Sequence, residues 1–236
     1  MIDPTTPTPH ASVVVPAGGR GTRMGTALPK QFLELHGAPL IVHTLRALLA
    51  CPLVREVVPV VPPTELDATR ALLARHGISC AGPVAGGATR QESVYNGIQA
   101  VSAQATVIAV HDAARPFPDP RTLAEAIRRA GQDGVGVVVG RPCHDTIKRV
   151  DARGRVTGTP DRTRLWQAFT PQVFPAKMIR DAYGLARQRG TTGTDDAALA
   201  EAAGATVTML EGRLEALKVT TPQDLLTARA WLDAES

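Results

Sequence analysis

Aromatic side chains are scarce: the 236 residues hold four Phe, two Trp and two Tyr. A core must therefore be built from Val, Leu, Ile and Ala, and a nucleic-acid surface based on stacked bases has few rings to draw on. The three cysteines, Cys51, Cys80 and Cys143, are odd in number and far apart. They form no disulfide framework and fit free thiols in a reducing cytoplasm. The six histidines show neither H-x-x-H nor H-E-x-x-H spacing, which argues against a protein-built zinc site. No run of apolar residues is long enough to cross a membrane. The opening "MIDPTTPTPHAS" lacks the basic start and apolar centre of a secretory signal, and residues 1–11 read as a disordered lead-in. The formal net charge of +4 is small and dispersed. It suits an anionic small molecule better than nucleic acid.

What the chain does contain is an alternation of aliphatic runs and helical stripes. Ser12 to Val15, "REVVPVV" (Arg55 to Val61), a short segment near Ile78, "ATVIAV" and "GVGVVVG" read as strands, with Pro59 suggesting an edge or a bulge. Between them lie four helical stretches. "PLIVHTLRALLA" carries a stripe of Leu40, Ile41, Thr44, Leu45 and Leu48; "ELDATRALLARHG" can be capped by Thr64 and ended by Gly77. "GGATRQESVYNGIQAVS" has Thr89 as its cap and Val94, Ile98 and Val101 on one face, and "DPRTLAEAIRRAG" has Pro120 near its start. This order predicts an α/β fold with a doubly wound, mainly parallel sheet, over a single domain spanning 12–236. Ligands in such sheets sit beyond the carboxyl ends of the strands.

Residues 141–165 break the pattern. "HDTIKRVDARGRVTGTP" alternates around the turn "DARG", with Thr146, Lys148 and Val150 facing one way and Ile147 and Arg149 the other. That predicts a protruding β-hairpin arm, and because an isolated ribbon is marginal in water it needs something to lean on. A second subunit is the obvious support. Beyond it come a helix from about Ala176 to Arg189, a helix in "TDDAALAEAAG", strands near Val207 and Leu217, and a helix from Pro222. Thr194-Asp195-Asp196 reads as an N-cap with an acidic first turn.

The segment "VVPAGGRGTRMGTALPK", Val14 to Lys30, places four glycines, Arg20, Arg23 and Lys30 after the first strand. Glycines let backbone N–H groups approach a ligand closely, and the interleaved cations point to an anion. The alternative is an ordinary loop with solvated charges. Met24 stands where a dinucleotide fingerprint needs its third glycine, and Lys30 follows Pro29 rather than the glycine of a P-loop.

In order, this loop, "HDAARPF", "DTIKR", "DRTRLWQAFTPQVF", "TDDAALAEAAG" and "EALKVTTPQDL" resemble the 2-C-methyl-D-erythritol 4-phosphate cytidylyltransferases, from about Val13 to about Leu232. The resemblance implies a Rossmann-like nucleotidyltransferase, cytoplasmic and dimeric through the arm, that joins CTP to the polyol phosphate with Mg²⁺ or another divalent cation and releases pyrophosphate. A phosphate monoester has its second pKa near 6, so the nucleophile is already mostly dianionic at neutral pH. The chemistry then calls for cations and N–H groups rather than a general base.

Residue by residue, the resemblance implies Arg23, Lys30 and Lys218 as the catalytic cations. Ala17, Gly18, Gly19 and Gly21 would cradle the nucleotide's phosphates, Gly86, Gly87 and Ser93 would read the cytosine, and Asp112 would serve the ribose or the metal, unless it is a turn cap. Arg115, Thr146, Arg162 and Thr170 would meet the polyol phosphate, with Thr146 and Arg162 lent across the dimer. Ala88 stands where an acidic side chain is expected after the double glycine. The nearest rivals are the ribitol-5-phosphate cytidylyltransferases and relatives that use another nucleoside triphosphate. A non-catalytic nucleotide-binding protein is a third reading, which the paired presence of Arg23 and Lys30 argues against.

Overall fold

The computed structural model describes residues 9–19, 30–213 and 216–235. Strand β1 (Ala11–Pro16) starts one residue earlier than expected, inside the stretch read as a disordered lead-in, of which residues 1–8 lie outside the described residues. A small hairpin of β2 (Glu34–Leu35) and β3 (Ala38–Pro39) leads into α1 (Leu40–Leu49). Next come β4 (Val54–Val61), α2 (Leu66–Arg75), β5 (Val84–Ala85) and α3 (Arg90–Ala100). β6 (Val107–Val110), α4 (Pro120–Asp133) and β7 (Gly136–Pro142) follow. The arm is β8 (Arg149–Val150) and β9 (Val156–Gly158), after which the chain returns as β10 (Trp166–Pro175). It closes with α5 (Ala176–Arg189), α6 (Asp196–Ala202), β11 (Val207–Glu211) and α7 (Pro222–Glu235).

Seven strands form one sheet in the order β11-β7-β10-β6-β1-β4-β5. β10 runs antiparallel to both β6 and β7, and the remaining pairings are parallel. Side chains along a strand alternate between faces, and here each face has its own helices. Val13, Val15, Val107 and Ala109 pack with α1, α2 and α4 through Leu45, Leu72 and Ile127. Val14, Ile108 and Val110 pack with α3, α5 and α6 through Ile98, Ile179 and Leu199. The sheet is doubly wound, as expected.

Several local expectations need correction. Thr64 lies inside a short 3-10 turn (Pro63–Glu65), and α2 starts after it with Glu65 as a cap residue that makes no side-chain bond. No strand forms at Ile78 or Leu217; the edge strand is β5, six residues beyond Ile78. Pro59 lies in β4, inside the sheet order. It is tolerated because the ladder to β5 begins only at Val60, so its missing N–H costs no bond on that flank. The arm's ladder is short, pairing Arg149 with Gly158 and Val150 with Val156.

Candidate active site

Four parallel strands end at one place. β1 runs into Ala17-Gly18-Gly19, β4 into Pro62-Pro63, β5 into Gly86-Gly87-Ala88, and β6 into His111-Asp112-Ala113-Ala114. Together with Gln31, Thr89, Arg90, Ser93 and Lys218, these segments line a cleft of about 380 Å³. It lies where β4 and β6 diverge on either side of β1, the switch point at which doubly wound sheets take their ligands.

The double glycine is required by packing. A Cβ on Gly86 would stand 2.8 Å from Ser93 Oγ, and one on Gly87 would stand 2.4 Å from Glu92 Cβ. The turn is pinned by the start of α3: Thr89 accepts from Glu92 N at 3.1 Å, Glu92 Oε2 accepts from Ala88 N at 2.7 Å, and Ser93 Oγ accepts from Gly87 N at 3.1 Å. Reciprocal bonds of this kind satisfy donors otherwise left open at a helix start.

Asp112 sits at the floor of the cleft. Its backbone N–H donates to Thr170 Oγ1 at 3.1 Å, so β10 fixes the loop from beneath. Lys218 Nζ donates to Asp112 Oδ2 at 2.7 Å, Arg90 Nε reaches Oδ1 at 3.3 Å, and Arg115 Nε lies 3.8 Å away. Burial alone would raise the carboxyl's pKa, but Arg90, Lys218 and Arg115 outweigh it and hold the group far below the usual range. Lys218 is brought here by two backbone anchors, Val219 N to Ala114 O at 2.8 Å and the Arg115 guanidinium to Ala216 O. The Arg115 guanidinium also lies 5.1 Å over the Phe169 ring.

His111 is wholly buried, with Nε2 2.9 Å from Arg115 O. A carbonyl can only accept, so Nε2 carries the hydrogen. Burial lowers the imidazole pKa to about 4, leaving the ring neutral at ordinary pH.

The structure therefore brings Ala17, Gly18, Gly19, Gly86, Gly87, Ser93, Asp112 and Lys218 to one cleft. Arg115 and Thr170 stand immediately behind Asp112. Gly21 and Arg23 lie outside the described residues, and Lys30 is described by its backbone, which opens a 3-10 turn to Phe32. Thr146 and Arg162 are exposed on the arm and do not line the cleft of their own chain. The cap of α6 is Asp195, which accepts from Ala198 N at 2.9 Å, while Thr194 makes no cap bond.

Three residues escaped the sequence reading. Arg90 lines the cleft, and Asp196, expected as a solvated first-turn acid, is fully buried against it. Gln31 also lines the cleft, its amide buried with no partner among the described residues. The signal for Gln31 was its place beside Pro29-Lys30; Arg90 and Asp196 are 106 positions apart and offered none.

Among the described residues, Asp112 is the one carboxylate lining the cleft, and no cluster of three or more metal-ligating side chains occurs. Mg²⁺ is commonly held by one or two carboxylates together with substrate phosphates. Asp112 stays ionised, but Arg90 and Lys218 already meet its two oxygens, so such an ion would be held through the substrate phosphates.

Comparison with known proteins bears on what this cleft does. Residues 11–234 match the family model described as IspD, 2-C-methyl-D-erythritol 4-phosphate cytidylyltransferase. The protein of that name from Symbiobacterium thermophilum is 43% identical over 225 residues, covering 95% of this chain and 94% of its own. The one from Syntrophus aciditrophicus is 38% identical over 229 residues, covering 96% of this chain and 97% of its own. Among solved structures, 4-diphosphocytidyl-2C-methyl-D-erythritol synthase from Anaerococcus prevotii superposes with a TM-score of 0.83 at 25% identity, covering 96% of this chain and 100% of the other. The cytidylyltransferase from Thermus thermophilus gives 0.75 at 32% identity, covering 95% and 99%.

Proposed function

This chain belongs to the 2-C-methyl-D-erythritol 4-phosphate cytidylyltransferase family, and from that premise we infer that it transfers CMP from CTP to 2-C-methyl-D-erythritol 4-phosphate. A phosphate oxygen of the polyol attacks the α-phosphorus of CTP. A new P–O bond forms, the bond to the β-phosphate oxygen breaks, and pyrophosphate leaves. The attacking dianion needs no base. What it needs is charge compensation where two polyanions meet, and this is the task given to Arg23, Lys30 and Lys218. The single observation that carries the reading is the Lys218–Asp112 pair within a glycine-lined cleft. It holds an ammonium in place beside backbone N–H groups before any ligand arrives.

The Gly86-Gly87-Ala88 turn and Ser93 are assigned to the cytosine, with Ala88 restricting recognition there to backbone groups. Ala17, Gly18, Gly19 and Gly21 are assigned to the triphosphate, and Arg115 and Thr170 to the polyol side. Mg²⁺ or another divalent ion, held through the CTP phosphates, would neutralise charge on the leaving pyrophosphate. The arm supports a homodimer: Ile147, Val150, Val156 and Trp166, on it or at its root, are large apolar side chains left exposed. A second copy would cover them and receive Thr146 and Arg162 into its own site. Three free cysteines among the described residues support a cytoplasmic location, and no described helix is long and apolar enough to cross a membrane.

The test is pyrophosphate release with CTP and Mg²⁺, comparing methylerythritol phosphate with ribitol 5-phosphate. Release with the former alone is expected. Release with ribitol phosphate alone would keep the nucleotide chemistry and overturn the acceptor.

A further inference from the structure

Arg90 sits in the first turn of α3, where the helix dipole disfavours a cation. Two carboxylates from distant parts of the chain hold it there. Its Nη1 and Nη2 donate to Asp196 Oδ1 and Oδ2 at 3.1 and 2.8 Å, and its Nε reaches Asp112 Oδ1 at 3.3 Å. Asp196 also accepts from the Tyr183 hydroxyl at 2.5 Å, and Asp112 Oδ2 accepts from Lys218. Tyr183, Asp196, Arg90, Asp112 and Lys218 thus form one chain of contacts from the interior to the cleft. Its charged members alternate in sign.

We propose that Arg90 and Asp196 are positioning residues for the transfer: Asp196 clamps the guanidinium, the guanidinium occupies Asp112 Oδ1, and Oδ2 is left to aim Lys218 into the cleft. This rests on the cytidylyl-transfer reading above, in which Lys218 serves the reacting phosphates. The geometry of a guanidinium carries the step. Its fork is planar and rigid, so binding Asp196 through both terminal nitrogens fixes where Nε can point. An ammonium on a flexible stem has no direction of its own, and Lys218 is held only as firmly as the carboxylate oxygen it meets. Both neighbours of Asp196 are held to β10, since Gln172 donates to Asp195 Oδ2 at 2.8 Å and accepts from Ala197 N at 2.9 Å. The same strand carries Thr170, which anchors Asp112. Both carboxylates of the relay are therefore set by one strand.

The test is steady-state pyrophosphate release with CTP and methylerythritol phosphate, with thermal unfolding measured alongside. In Arg90→Gln, kcat should fall about 10- to 100-fold with the KM for CTP within about 3-fold of wild type, the signature of lost orientation. Arg90→Lys should recover only part of the loss, because an ammonium cannot replace the fork. Asp196→Asn should fall in kcat similarly, and the Arg90→Gln/Asp196→Asn double variant should be no slower than the slower single, since one residue acts through the other. Tyr183→Phe is the milder probe should Asp196→Asn fail to fold, with an expected loss of about 3-fold in kcat.

Unchanged kcat in Arg90→Gln and Tyr183→Phe, with only the melting temperature lowered, would reduce the chain to a structural tie and overturn the relay. A raised KM for CTP with kcat intact would also overturn it, by showing that Arg90 meets the nucleotide directly. Losses that multiply in the double variant would do the same. A folded wild-type protein silent with both substrates would instead overturn the transfer reading, and the relay with it.

Discussion

Asp112 has three cations within 4 Å, Arg90, Arg115 and Lys218. At this scale the account predicts that Lys218→Ala lowers kcat by about 100-fold or more, as loss of a preorganised charge at a transferring phosphoryl group does. Thermal unfolding of the variant, run beside the kinetics, should show it folded. His111 supplies a pH prediction. Its pKa is about 4 in the folded chain against an ordinary 6.5, so the unfolded chain binds the proton more readily. The share of stability that rests on the neutral ring is whole above pH 6.5, drains as pH falls, and is gone by about pH 4. The difference amounts to roughly 3 kcal/mol. Denaturant unfolding at pH 7 and pH 4.5 should show the loss, and His111→Gln should remove that part of it. Gly86, Gly87, Ser93 and Lys218 were reached only through the family resemblance; Asp112 was legible in the sequence itself, as a residue that follows a strand at the carboxyl end of the sheet. The Arg90–Asp196 pair was not, since an acid after an N-cap reads equally well as a solvated first-turn charge and nothing local says that it is buried.

Among the elements, α3 lies close on the sheet. A Cβ at Gly97 would stand 2.4 Å from Val14 Cγ1 and 2.8 Å from Val60 Cγ2, so this glycine lets the helix lie close over β1 and β4. Gly97→Ala should push α3 outward, cost about 1–3 kcal/mol by overpacking, and lower the melting temperature. Because the same helix begins at Thr89 and holds the glycine turn, the KM for CTP should rise as well. A variant as stable as wild type would contradict the packing argument. The helices were legible from their apolar stripes and caps, and α5 falls on the residues expected for it. β10 was not assigned, and it carries Pro171, a residue type that central strands ordinarily exclude. It is accommodated where the β7 register breaks between Ala168 and Gln172, and where pairing with β6 has not yet begun. The segment near Ile78 failed as a strand because one apolar residue in a loop has no ladder to join.

Taken whole, the molecule places its cleft and its arm at the same end of the sheet. The arm leaves from the carboxyl end of β7 and returns into the start of the antiparallel β10, whose Thr170 accepts from the loop after β6. That arrangement suits an arm serving a neighbour's cleft. Mixing inactive Lys30→Ala with inactive Arg162→Ala chains should restore up to about a quarter of wild-type activity, since half of randomly assorted dimers would hold one intact site of two. No recovery, with mixed dimers demonstrated, would contradict an exchanged arm. The most direct test of the central claim follows the α-phosphorus of CTP. With CTP labelled at that atom and methylerythritol phosphate as acceptor, the label should appear in a diphosphate that also contains the polyol, with one pyrophosphate released per label transferred. Label recovered as free CMP, or left in CTP by the folded protein, would contradict the transfer.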